Sequence, residues 1–130
     1  MVVGVGFDLV EIERVERMIT SLGDKMFSRL FSDGEAEYIR SKALPAQHAA
    51  VRLAAKEAAF KALAGNELAR RITWRDVEVV SDARGIPSIR LHGVAEERAR
   101  ELAVTTIHVS LSHTHGMAGA VVVLSADRAN

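Results

Sequence analysis

The chain has no cysteine. That excludes disulfides, thiolate metal sites and a cysteine nucleophile together, and leaves any chemistry to oxygen and nitrogen groups. It also has no net charge, because 17 basic and 17 acidic residues cancel. No whole-molecule field therefore points to nucleic acid or to a membrane as partner, and any basic patch must be local. Only two prolines occur in 130 residues, and no Pro/Gly/Ser-rich linker, internal repeat or low-complexity tract interrupts the sequence. The opening MVVGVGFDLVEIERVERM lacks both a basic leader and a long apolar run, so it reads as neither signal peptide nor membrane span, and a cytoplasmic location is expected. What is present is 48% hydrophobic residues, enough to bury a real core, and residues 1–130 are expected to form one domain.

Residues 2–9 alternate Val3, Val5, Phe7 and Leu9 against Gly4, Gly6 and Asp8, the period of a strand with one apolar face and one nearly bare face. From Glu11 the period becomes helical, through Ile12, Val15, Ile19 and Leu22, and Gly23 ends the run. Ser32 with Glu35 three residues on has the form of a capping box opening a short helix to about Lys42. Pro45 sits at the first turn of a long alanine-rich helix that Gly65 terminates. Strands 77–81 and 88–91 flank the turn Asp82-Ala83-Arg84-Gly85. Residues 94–102 read as helix. Ile107, Val109 and Leu111 then alternate with His108, Ser110 and Ser112, and Ala118 to Leu124 supplies a return strand. The pattern predicts an α+β fold, a small single domain with a mainly antiparallel sheet packed against a long buried helix.

That long helix poses the question of function. RLAAKEAAFK, residues 52–61, puts Arg52, Lys56, Glu57 and Lys61 on a helix that Ala49, Val51, Leu53, Ala54, Ala55, Ala58, Ala59, Phe60, Ala62 and Leu63 make apolar on every side. Buried charges are costly unless paired or bound to something that compensates them. The plain alternative is an ordinary Glu57–Lys61 pair at i, i+4 spacing, worth roughly 0.3–0.5 kcal/mol on an exposed face. Asp8 is the second candidate, since it shares a strand face with two glycines, which leaves room for a ligand; its plain alternative is a cap on the following helix. GVGF is not a dinucleotide fingerprint, because Leu9 stands at the third glycine position and only three residues precede Gly4. Two carboxylates from different elements, Asp8 and Glu57, suit magnesium, which keeps several waters and shares its sphere with substrate phosphates. Lys56, Lys61 and Arg52 would then neutralise those phosphates. A zinc site from His108, His113 and His115 is disfavoured, since strand parity points His108 away from His113.

In this order and spacing, GVGFDLVEIERVER, FSDGEAEYI, RLAAKEAAFKAL, WRDVEVVSDARGIPSIRLHG and IHVSLSHTHGMAGAVVVL closely resemble the holo-acyl-carrier-protein synthases, the small bacterial 4'-phosphopantetheinyl transferase family. The resemblance covers nearly the whole chain and implies that family's fold. It implies transfer of 4'-phosphopantetheine from coenzyme A to a serine of apo acyl carrier protein, with release of adenosine 3',5'-bisphosphate, in support of fatty acid biosynthesis. Mg²⁺ is the implied cofactor, held by Asp8 and Glu57. Lys61 matches the lysine on the pyrophosphate, and Arg52, Gly65, Pro87 and His113 match positions around the nucleotide part of coenzyme A. Asp8, Glu57 and Lys61 are the implied catalytic set, with Glu57 the candidate base for the serine proton. Arg14, matching a docking arginine, and Arg17 are candidates for binding the acidic carrier. A homotrimer with active sites between subunits is also implied.

Two segments depart from the family pattern. Residues 64–74, AGNELARRITW, have one glycine where a glycine-rich stretch is usual, and His115-Gly116 replace a lysine–acid pair. Lys56 is left to pair with a buried acid. The competing functions are a non-catalytic coenzyme-A-binding or oligomeric subunit on the same fold, and a transferase serving polyketide or peptide-synthesis carriers.

Overall fold

The computed structural model describes residues 1–127. Strand β1 (Val2–Glu11) runs directly into α1 (Ile12–Leu22). α2 (Asp24–Leu30) and α3 (Asp33–Arg40) precede the long helix α4 (Pro45–Leu63). β2 (Val77–Ser81) and β3 (Pro87–Leu91) form a hairpin, followed by α5 (Gly93–Glu101), β4 (Thr106–His113) and β5 (Met117–Ser125). The sheets are antiparallel, one in the order β1-β5-β4 and the other the β2-β3 hairpin. No helix among the described residues is long and apolar enough to cross a membrane.

Local chemistry accounts for most boundaries. Ser32 accepts from the Glu35 amide at 3.1 Å while the Glu35 carboxylate accepts from the Ser32 amide at 2.9 Å, the reciprocal cap expected of that spacing. Asp82 closes the β2-β3 turn, its Oδ1 accepting from the amides of Arg84 at 2.8 Å and Ile86 at 3.0 Å, and Gly85 takes the positive φ of 80° that the turn requires. The reading of the sequence places no element between Gly23 and Ser32. The structure puts α2 there, burying Met26, Phe27 and Leu30; seven residues are too few to show a helical period against the background.

Helix α4 is buried on nearly all sides, and its alanines are what allow it. It crosses β1 so closely that a methyl group added to Gly6 would lie 1.7 Å from the Ala58 carbonyl oxygen, and one added to Gly4 would lie 2.3 Å from that of Ala62. This corrects the expectation of open space on the glycine face: the helix backbone fills it. The consequence is inverted burial along β1. Gly6 and Val10 face the core, whereas Val5, Phe7 and Leu9 stay 56–59% exposed.

Candidate active site

The glycine contacts set the geometry of the next residue on that face. Asp8, two positions beyond Gly6, is carried against the C-terminal half of α4, where Lys61 Nζ donates to its Oδ1 at 2.8 Å and to the Phe7 carbonyl at 3.0 Å. Asp8 is largely buried, with 12% of its side chain exposed, while Lys61 stays 57% exposed. Lys61 thus pairs with Asp8, and no Glu57–Lys61 bridge forms among the described residues. Nor does Asp8 cap α1, whose N-terminus has no side-chain cap.

Glu57, one turn earlier on α4, faces the same carboxylate. Burial and the neighbouring Asp8 push its carboxyl up to about 7. Burial also pulls Asp8 upward, but hydrogen bonding with Glu57 and Lys61 outweighs it and holds Asp8 below its ordinary value. Asp8 Oδ2 is buried without a donor of its own; a bond to Glu57 exists only while one of the two carboxyls carries a proton. Two acids share a place that wants one positive charge. Below about pH 7 a proton fills it in the free protein. A divalent cation fits the same donor set, two carboxylates with room for phosphate oxygens.

Elsewhere, no group of three or more His, Cys, Asp or Glu side chains among the described residues is arranged to hold a metal. His108 lies on the opposite face of β4 from His113, as parity requires.

Three of the four residues matched to the nucleotide form a second cluster. Arg52, Pro87 and His113 line one cavity of about 360 Å³ at the other end of α4, together with Tyr38, His48 and Ser81. Arg52 is only 4% exposed. Its guanidinium lies 4.1 Å from the centre of the Tyr38 ring and donates from Nη2 to Ser81 Oγ at 3.2 Å. Its Nε is buried with no acceptor, and no acid pairs with it among the described residues. His113 has the Gln47 side-chain amide 2.7 Å from Nε2. Burial and the charge of Arg52 pull the His48 imidazole below its ordinary value.

Gly65 lies apart from both clusters, just past the end of α4 with φ 131°, where it lines another cavity with Phe60, Ala64 and Asn66. Arg98 of α5 holds that end, donating from Nε to the Leu63 carbonyl at 2.7 Å and from Nη2 to that of Ala64 at 3.1 Å. The nine residues from Arg52 to Lys61 span roughly 13 Å of helix, so one chain presents the two clusters as separated half-sites. Arg14 lines a small cavity with Glu57 and lowers the pKa of that carboxyl, whereas Arg17 is exposed and pairs with Glu13 at 3.3 Å.

Tyr38, Ser81, Gln47 and His48 were not singled out in the sequence. They lie on three elements and meet only in the folded chain; the one advance signal was that Arg52, on an apolar helix, needed companions.

The sequence profile of the 4'-phosphopantetheinyl transferase superfamily matches residues 4–118. A holo-[acyl-carrier-protein] synthase of Geobacter sulfurreducens is 45% identical over 124 residues, which is 95% of this chain and 98% of the relative. Among solved structures, the acyl carrier protein synthase of Mycobacterium tuberculosis is 39% identical with a TM-score of 0.73, over 98% of this chain and 100% of that one. A holo-(acyl-carrier-protein) synthase of Bacillus anthracis, solved in complex with CoA (3',5'-ADP), is 30% identical with a TM-score of 0.77, over 98% and 99%.

Proposed function

The chain belongs to the 4'-phosphopantetheinyl transferase superfamily, and on that premise we propose that it moves 4'-phosphopantetheine from coenzyme A to a serine of apo acyl carrier protein. Adenosine 3',5'-bisphosphate is the second product, and the setting is cytoplasmic fatty acid biosynthesis. The observation that carries this reading is the Asp8–Glu57–Lys61 arrangement, two carboxylates from different elements beside a lysine, in a chain of this family.

Asp8 and Glu57 are the residues that would hold Mg²⁺, which when bound supplies charge neutralisation to the pyrophosphate. Lys61, exposed and held by Asp8, presents its ammonium to the leaving phosphate. Arg52 and His113 bind and orient the nucleotide end, where the unpartnered guanidinium Nε marks a cation awaiting an anion. Glu57, by its place beside Asp8 at the site, is the group assigned to take the proton of the attacking serine. Arg14 and Arg17 contribute local positive charge for an acidic carrier.

The working form we propose is a homotrimer with sites between subunits. Two features support it: the half-sites stand apart in one chain, and Val5, Phe7 and Leu9 present an apolar face that a second copy would cover. The test is to incubate the protein with apo acyl carrier protein, coenzyme A and Mg²⁺ and to weigh the carrier. A mass increase of one phosphopantetheine is expected; a folded protein that adds nothing to any carrier tried overturns the reading.

A further inference from the structure

Lys56 immediately precedes Glu57, yet it is fully buried. All three of its ammonium protons are used. Nζ donates to Glu35 Oε1 at 2.8 Å, to the Trp74 carbonyl at 2.9 Å and to the Val77 carbonyl. Glu35 is occupied on both oxygens as well, since Oε1 also accepts from the Ser32 amide at 2.9 Å and Oε2 accepts from the Val79 amide at 2.9 Å. One ion pair therefore joins the start of α3, the middle of α4, the turn at Trp74–Asp76 and strand β2. Exchange of such a pair for apolar side chains is often neutral or stabilising, so stability alone gives a weak reason for placing it in an alanine-lined interior.

Position gives a better one. The two carbonyls that Lys56 grips bracket the Trp74–Asp76 turn. Trp74 lines the cavity of about 100 Å³ that Glu57 and Arg14 also line, and its ring meets Phe60 of α4 edge-on at 4.9 Å between centroids. Lys56 thus ties down the backbone of the residue that walls the space beside Glu57.

We propose that the Lys56–Glu35 pair is a positioning device for the transfer site, fixing the Trp74 turn against α4 so that the wall beside Glu57 keeps one shape. Lys56 touches neither substrate nor metal; it acts through Trp74. The inference rests on the transferase reading for its functional consequence, but not for its structural one.

The test uses the full chain and two variants, Lys56→Met and the milder Glu35→Gln, which keeps a carbonyl acceptor for Lys56. Trp74 is the chain's one tryptophan, so its emission reports the wall directly. Well below the melting midpoint, Lys56→Met is expected to shift that emission to the red. Its kcat for carrier modification should fall about tenfold or more, a loss in keeping with misplacement of a site wall, with the KM for coenzyme A within about twofold of wild type, because Arg52 and His113 bind at the other end of α4. Glu35→Gln should show the same pattern at smaller amplitude. It decides the question where Lys56→Met fails to fold. A folded variant with unchanged emission and unchanged kcat overturns the proposal, as does one whose kcat is unchanged although its melting point drops. Wild-type protein that transfers nothing would instead sink the transferase reading, and the emission arm would still show whether Lys56 sets Trp74.

Discussion

Replacing Gly6 with alanine should separate strand from helix and disable the site from a distance. The added methyl would sit 1.7 Å from the Ala58 carbonyl oxygen, whereas contacts under 3.0 Å are essentially never seen for a real Cβ. The obstacle is backbone of a helix packed on all sides, so no flexible side chain can give way. β1 must retreat by about 1.3 Å, the shortfall between those two distances. Asp8 lies two residues further on, and the same retreat would stretch its 2.8 Å bond to Lys61 beyond hydrogen-bonding range. Overpacking of this kind costs about 1–3 kcal/mol, roughly 4–11 °C in Tm for a chain of this size. Displacement of a catalytic group by about 1 Å can cost about a hundredfold in rate. The assay is a thermal melt beside the carrier-mass assay. Gly34→Ala is the control, because its nearest neighbour would be an ordinary 3.8 Å away and the residue lies in a helix; it should melt at or above wild type, by about 0.5 kcal/mol. Wild-type melting and turnover in Gly6→Ala would refute the claim that close approach of β1 to α4 places Asp8.

Other outcomes follow from the same geometry. Asp8→Ala and Glu57→Ala should each lower turnover by about 10²-fold or more, and unchanged rates in both would show the carboxylate site to be wrong. A carboxyl raised from 4.5 to about 7, as in Glu57, contributes its full share of stability below about 4.5 and loses it as pH rises through about 7. The metal-free protein should therefore melt progressively lower between pH 5 and 8. Mg²⁺ should flatten that slope and Glu57→Gln should remove it; a flat metal-free profile contradicts the Asp8–Glu57 contact. Asp8, held below its ordinary 3.8, has the opposite sign and matters only as pH falls through that range. Phe7→Glu, on the exposed face of β1, should yield monomers by light scattering and abolish transfer, while an active monomer would place the complete site in one chain.

The elements of this fold were legible because their periods were unmixed. The strand alternation of 2–9, the capping box at Ser32 and Glu35 and the turn at Asp82–Gly85 each rest on interactions within a few residues. Which face of β1 turns inward was not legible. Hydrophobic alternation groups Val5, Phe7 and Leu9 on one apolar face, but the face that turns inward is the other one, where the partner is a helix backbone and only glycine admits it. The carboxylate pair was legible because both acids stood out against apolar surroundings. Lys61 was recognised, but its partner was not, since the i, i+4 rule names Glu57 while the tertiary contact is with Asp8. The walls of the Arg52 cavity depend on α3, α4, β2, β3 and β4 meeting, and no local pattern encodes that.

Two buried cations on α4 show how partnership divides structure from function. Lys56 and Arg52 lie one turn apart on a helix buried along most of its length, and burial pulls both below their ordinary values. Lys56 is compensated inside the chain by a carboxylate and two carbonyls, and every donor is used. Arg52 has an aromatic ring and a hydroxyl but no acid, and its buried Nε donor has no acceptor. A buried guanidinium in that state is costly in the free protein, and an arriving anion would offset the cost. Lys56 needs no ligand to be stable. The zero net charge of the chain hides this contrast, because it sums over charges that the fold has already neutralised and those it leaves without an opposite charge.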